Sequence, residues 1–169
     1  MRAYLSLGSN LGDKTANLVL GIRGIAALQG VRLNRVSSFY KTRPWGYIEQ
    51  PSFVNAAAAV TTDLDPVALL DDLQAVERGL GRVPGTRWSS RVFDADIVLM
   101  DELQVESERL CIPHRLFRER AFVLIPLAEI AAEVVDPVSG RAIGELAGLF
   151  GNDAGLVKIG TYEDFALKV

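Results

Sequence analysis

Two aspartates separated by one residue, Asp94 and Asp96, are the pair in this chain best placed to do chemistry. They interrupt an apolar run of Phe93, Ala95, Ile97, Val98, Leu99 and Met100, whose strand-forming composition predicts a β-strand within Arg91 to Asp101. Side chains two apart on a strand leave the same face, so both carboxylates point one way. Like charges held that close repel each other and resist burial, so a fold that keeps them together calls for a compensating cation. Magnesium suits the donors, because it takes one or two carboxylates and completes its octahedron with waters and phosphate oxygens. Cations stand on both sides: Arg82, Arg87 and Arg91 precede the pair, together with Trp88, in a loop containing Gly and Pro, and Arg109, His114, Arg115, Arg118 and Arg120 follow. Such flanking suits a polyphosphate bridged by metal. The plainer alternative is an edge strand with a wet outer face, where Asp-Ala-Asp is ordinary solvation.

The elements that must carry these residues are legible in outline. Arg2 to Leu7 reads as a first strand, and Gly8 to Gly12 as a tight turn that matches no phosphate-binding fingerprint and is taken as structural. Asp13 is a plausible N-cap for a helix running to about Gln29, with Leu18, Ile22, Ile25 and Ala26 on one face and Gly30 ending it. Val31 to Tyr40 reads as a second strand. The segment 41–51 holds two prolines, a glycine and two aromatics, and loops of that length in compact domains often act as lids. Phe53 to Thr62 reads as a third strand that puts Phe53 and Asn55 on one face, an aromatic beside an amide, as a flat hydrogen-bonding heterocycle needs. A Phe at a strand start is more often core.

Asp65-Pro66 starts a helix whose buried stripe is Leu69, Leu70, Leu73, Val76 and Leu80, with Gln74 and Glu77 beside that stripe. After the carboxylate strand, Leu103 to Val105 reads as the return of a hairpin, and a proline-fixed turn then leads to the single histidine, His114. A lone histidine is more often structural than catalytic. Arg115 to Arg120 reads as a short basic turn, Ala121 to Ala132 as an apolar helix interrupted by Pro126, and Ile143 to Phe150 as a short helix. Residues 151–169 receive no role.

At 169 residues the length favours one domain able to bury about 70% of its unfolded surface. One cysteine, Cys111, permits no internal disulfide and fits a reducing compartment. No apolar stretch nears the roughly 18 to 20 residues of a membrane span, and the amino terminus turns polar within about ten residues, without the long apolar core of a secretory signal, so the cytoplasm is the expected location. The net charge of −3 argues against nucleic acid bound by bulk electrostatics.

Taken together, the separated motifs resemble the 6-hydroxymethyl-7,8-dihydropterin pyrophosphokinase family. They are Leu5 to Gly12, Val36 to Thr42, Gln50-Pro51 with Phe53 to Ala56, Gln74 to Glu77, Gly81-Arg82, Arg91 with Asp94 to Ile97, and Pro113-His114 to Phe122. They cover about the first 150 residues, which the resemblance makes the pyrophosphokinase domain, with 151–169 as a tail. It implies an α+β, ferredoxin-like fold with a mainly antiparallel sheet and helices on one face. It implies that ATP donates its β,γ-pyrophosphoryl group to the pterin hydroxymethyl oxygen, leaving AMP, in folate biosynthesis. Carried over by position, Asp94 and Asp96 would hold two magnesium ions, with Arg82 and Arg91 as their catalytic companions. Gln74, Glu77, Arg87, Trp88, Ile97, Arg109, His114 and Arg120 would meet ATP. Phe53 and Phe122 would sandwich the pterin, Thr42 and Asn55 would bond its edge, and Trp45 would help to close the site. The family prior is a monomer with two small-molecule substrates and no nucleic-acid or membrane partner.

The sequence also departs from the family. Loop 83–90 lacks an arginine common near Pro84, and Cys111 and Arg115 stand where threonine and tyrosine are common. Two rival classes follow: a catalytically weakened homologue that binds a pterin or nucleotide as a regulator, and a nucleic-acid binder stacking bases on Trp45, Tyr47 and Phe53.

Overall fold

The structure is a computed structural model that describes residues 1–42, 52–81, 91–151 and 155–169. In chain order its elements are β1 (Arg2–Ser9), α1 (Lys14–Ala26), β2 (Val31–Val36), β3 (Phe39–Thr42), β4 (Phe53–Thr62), α2 (Pro66–Gly79), β5 (Asp94–Met100), β6 (Val105–Glu106), β7 (Cys111–Ile112), a 3-10 turn (Phe117–Glu119), α3 (Ala121–Ala131), α4 (Ile143–Gly148), β8 (Leu156–Gly160) and α5 (Tyr162–Ala166). Six strands form one sheet in the order β5-β1-β4-β3-β8, with β2 paired to the far end of β4. Every pairing in it is antiparallel.

The central strands are buried on both sides, and strand alternation divides their side chains between two cores. Ala3, Leu5 and Leu7 of β1 and Ala56, Ala58 and Val60 of β4 pack with Leu18, Ile22 and Ile25 of α1 and Leu69 and Leu73 of α2. Tyr4, Ala57 and Ala59 face the other way, against Val123, Leu124 and Leu127 of α3 and Leu146 of α4. The α+β class with an antiparallel sheet therefore holds, but the helices lie on both faces of the sheet instead of one. The apolar α3 is the reason: both of its neighbours in space, sheet and α4, remove it from water.

Local signals set the helix starts. The Asp13 carboxylate accepts from Ala16 N at 3.0 Å, and the Asp65 carboxylate accepts from Val67 N and Ala68 N at 2.9 Å. On α1, Ala26 is exposed and the buried face runs through Leu18, Val19, Gly21, Ile22 and Ile25. A Cβ on Gly21 would lie 2.2 Å from the Phe93 ring, so its absence lets α1 seat directly on the residue before Asp94.

Three expectations change. The single strand Val31 to Tyr40 is two strands, split where buried Ser37 accepts from Ala57 N and donates to Ser38 O. Pro126 does not interrupt α3, which runs through it. A mid-helix proline costs about 3 kcal/mol, and buried Val123, Leu124, Leu127 and Ile130 offset that at about 1.5–3 kcal/mol each. The strand after Asp101 does not return along β5. It pairs with β7 in a separate two-stranded sheet, because Glu77 and His114 occupy the outer edge of β5 at Ala95 N and Val98 O.

The terminal segment is part of this architecture. Strand β8 pairs with β3, Phe165 of α5 stacks on Phe39 with centroids 5.3 Å apart, and the Arg23 guanidinium donates to the carbonyls of Ala166 and Val169. Among the described residues no helix is long and apolar enough to cross a membrane.

Candidate active site

One row of the sheet brings the proposed residues together. The register pairs Tyr40 with Asn55, Asn55 with Gly8, and Gly8 with Asp94, while the next positions pair Thr42 with Phe53 and Ser6 with Asp96. Val54 and Ala56 of β4, Leu7 of β1, and Ala95 and Ile97 of β5 belong to the core under α1 and α2. By alternation Phe53, Asn55, Gly8, Asp94 and Asp96 all face the α3 side. They line one end of the sheet, where α3 begins with Ala121 and Phe122.

On the β4 side, Asn55 and Thr42 are buried, and the Thr42 hydroxyl donates to Asn55 Oδ1 at 2.9 Å. That bond leaves the Asn55 amide N–H groups turned toward Gly8, where an added Cβ would sit 3.0 Å from Asn55 Nδ2 and 3.9 Å from the Phe53 ring. The glycine therefore forms the floor of a trough between an aromatic–amide wall and the carboxylates. Phe53 and Phe122 are each half-buried, as ring faces open to a ligand require.

On the β5 side, Asp94 and Asp96 are half-buried and Arg91 Nη1 lies 2.6 Å from Asp94 Oδ1. Burial pushes the Asp96 carboxyl up to about 7, the charge of Asp94 adds to the push, and Arg91 pulls against it. Burial works against the Arg91 charge, yet Asp94, Asp96 and Glu77 outweigh it and hold the guanidinium above its ordinary value. Burial and then the charge of Arg120 push the His114 ring below its ordinary value, against the pull of Asp94. His114 Nδ1 accepts from Leu116 N at 3.2 Å, so the neutral ring carries its proton on Nε2. Arg91, Asp94, Asp96, Glu77, His114 and Arg120 thus form one electrostatically coupled group.

Glu77 is only 2% exposed, and its carboxylate accepts from Ala95 N at 2.8 Å, tying the last turn of α2 to the residue between the two aspartates. Arg120 lies over the Phe122 ring at 5.7 Å, within cation–π range. Arg109 pairs with Asp71 on α2, one turn before half-buried Gln74 and on the same side of the helix. Ile97 is different: its side chain is buried in the core under α1 and α2, leaving only its main chain to meet a ligand. Arg82, Arg87, Trp88 and Trp45 lie outside the described residues.

Two residues passed over in the sequence stand in this site. Gly8 is the trough floor, and a glycine inside a strand is itself a sign of close approach by a ligand or backbone. Asn10 bonds the main chain of Arg91, a contact between positions far apart in sequence for which no local pattern exists.

The donor set fits magnesium. Among the described residues no group of three or more His, Cys, Asp and Glu could hold a metal ion. Two carboxylates on one face suffice for an ion that draws its other ligands from phosphate and water.

Comparison with known proteins identifies the family. The family model for 7,8-dihydro-6-hydroxymethylpterin-pyrophosphokinase (HPPK) matches residues 4–132. The chain is 48% identical over 144 residues to the 2-amino-4-hydroxy-6-hydroxymethyldihydropteridine pyrophosphokinase of Methylorubrum extorquens, covering 85% of this chain and 90% of that relative. To the protein of the same name from Haemophilus influenzae it is 43% identical over 148 residues, covering 88% and 92%. Among solved structures, wild-type Plasmodium falciparum HPPK-DHPS with pteroate aligns at a TM-score of 0.70 and 14% identity, a likeness of fold. That alignment covers 88% of this chain and 42% of the larger one, so the chain spans less than half of that protein.

Proposed function

The chain belongs to the 7,8-dihydro-6-hydroxymethylpterin-pyrophosphokinase family, and on that premise we propose that it transfers the β,γ-pyrophosphoryl group of ATP to the hydroxyl of 6-hydroxymethyl-7,8-dihydropterin in folate biosynthesis. The hydroxymethyl oxygen bonds to the β-phosphorus, the bond from that phosphorus to the oxygen bridging to the α-phosphate breaks, and AMP leaves with the bridging oxygen. The observation that carries the reading is the row Asn55, Gly8, Asp94, which sets a pocket for a flat heterocycle next to paired carboxylates.

Phe53 and Phe122 sandwich the pterin, and Thr42 and Asn55 bond its edge. Asp94 and Asp96 would hold two magnesium ions, which when bound would neutralise the triphosphate and polarise its phosphoryl oxygens. Transfer of this kind asks the protein mainly for alignment and charge neutralisation. Arg91 meets the phosphates from one side, and Arg120 and His114 from the other, with His114 donating from Nε2. Glu77 fixes β5 so that both carboxylates keep their spacing. Asp94 orients the substrate hydroxyl and takes its proton. Gln74, Arg109 and the main chain at Ile97 meet the nucleotide. Arg82, Arg87, Trp88 and Trp45 complete the phosphate cradle and the closure that keeps water from competing with the alcohol. Residues 1–150 carry all of these groups, and the protein works as a monomer in the cytoplasm. The coupled set of Arg91, Asp94, Asp96 and His114 favours turnover over a regulator that merely binds, since binding alone has little use for paired acids held at such electrostatic expense.

The test is to incubate the protein with ATP, magnesium and 6-hydroxymethyl-7,8-dihydropterin. AMP is expected only when the pterin is present; AMP formed equally without it, or none at all, contradicts the reading.

A further inference from the structure

The turn between β1 and α1 does more than connect them. Asn10 is completely buried, and it grips the main chain of Arg91 at two points: Arg91 N donates to Asn10 Oδ1 at 2.6 Å, and Asn10 N donates to Arg91 O at 3.1 Å. Among the described residues, no other bonds the Arg91 main chain. The grip has a firm base. Asn17 of α1 donates to Leu11 O at 2.7 Å and to Ser9 Oγ at 3.3 Å, and Asp13 caps the same helix. Rigid helix, anchored turn, Asn10 and Arg91 therefore form one chain of contacts that ends with the guanidinium on Asp94.

The Asn10 side chain has a second peculiarity. Its Nδ2 is buried and, among the described residues, has no hydrogen-bond partner. A buried donor left unpaired costs about 1–3 kcal/mol. Stability alone does not favour an amide there; what the amide supplies is a neutral acceptor, at the right reach, for the N–H of Arg91. We propose that Asn10 is a positioning residue for pyrophosphoryl transfer, fixing the backbone from which Arg91 delivers its guanidinium to the phosphates. The assignment rests on the pyrophosphokinase reading and adds to it a residue that touches no substrate.

A double-mutant cycle on the intact protein tests this, with kcat and pterin KM measured for wild type, Asn10→Ala, Arg91→Ala and the double variant. Misplacing a catalytic group by an ångström costs about 100-fold, so Asn10→Ala is expected to lower kcat about 10- to 100-fold while pterin KM stays within about twofold. Because the residue acts through Arg91, the double variant is expected to be no slower than Arg91→Ala alone. A kcat loss with pterin KM unchanged and no further loss on top of Arg91→Ala is a pattern that a general packing defect would not give. Should Asn10→Ala fail to fold, Asn10→Ser, polar but too short to reach, takes its place in the cycle. Losses that multiply in the double variant, or an unchanged kcat in the single one, overturn the positioning role while leaving the pyrophosphokinase reading intact. A wild-type protein that makes no pterin-dependent AMP overturns both.

Discussion

Replacing Gly8 by alanine isolates the trough from the rest of the fold. Gly8 is not among the residues with positive φ, so alanine fits its backbone, and the entropy lost by glycine on folding is partly recovered, about 0.5–1 kcal/mol. Against this, the new Cβ would stand 3.0 Å from Asn55 Nδ2, and the amide must shift by a few tenths of an ångström. Such overpacking costs about 1–3 kcal/mol, at the low end because a side-chain amide yields more readily than backbone. The two effects nearly cancel, and stability is expected to change by no more than about 1 kcal/mol. Ligand binding has no such compensation. The shifted amide loses its bond to the heterocycle edge, and a buried polar group left unpaired costs about 1–3 kcal/mol, or roughly a 5- to 150-fold loss of pterin affinity. Calorimetric titration with the pterin in the presence of a non-hydrolysable ATP analogue, beside a thermal melt, reads both numbers. ATP-analogue affinity should hold within about twofold. Unchanged pterin affinity with an otherwise stable protein would refute the placement of the heterocycle over Gly8.

Other variants probe other parts of the account. Asp96→Asn is expected to abolish turnover while leaving the fold intact. The folded Asp96 pKa is raised, so its contribution to stability is present below the ordinary carboxylate range and is lost as pH rises toward about 7. Melts of the metal-free protein between pH 4 and 8 should show that decline in wild type and a flatter profile in Asp96→Asn; parallel profiles would sink the assignment. Phe122→Ala should weaken pterin at least about tenfold and ATP much less, as separate titrations would reveal. Asp136, fully buried, accepts two bonds at 2.7 Å from Arg118 and further bonds from Ser139 and Val138 N. Burial alone would raise its pKa, but these partners hold it at about 2. Its contribution is therefore present above the ordinary carboxylate pKa and lost as pH falls toward 2. Asp136→Asn should destabilise the protein at pH 7 by about 1–2 kcal/mol, allowing for solvent screening at its partly exposed partner Arg118, with kcat unchanged.

What could be read from the chain alone follows a physical division. Strand β4 falls on the residues that its composition predicts, and Asp13 and Asp65 cap the helices they announce, because those signals act within a few residues. The spacing of Asp94 and Asp96 on one face is equally local. What covers each face is not. Nothing near Ala57 or Ala59 says that α3 lies against them, and nothing near Pro126 says that buried neighbours will hold its helix together. The role of β8 and α5 depends on Phe39 and β3, more than a hundred residues earlier. Gly8 and Asn10 illustrate the same limit within the site, since their significance comes from Asn55 and Arg91 across the fold.

The central claim is that paired acids on β5 tie divalent ions to a nucleotide triphosphate, and a crystal grown with a non-hydrolysable ATP analogue, the pterin and manganese in place of magnesium tests it most directly. The account predicts anomalous peaks at about 2.1 Å from carboxylate oxygens of Asp94 and Asp96 and in contact with the β- and γ-phosphates. Manganese bound to the phosphates with both aspartates turned away from it would contradict the account.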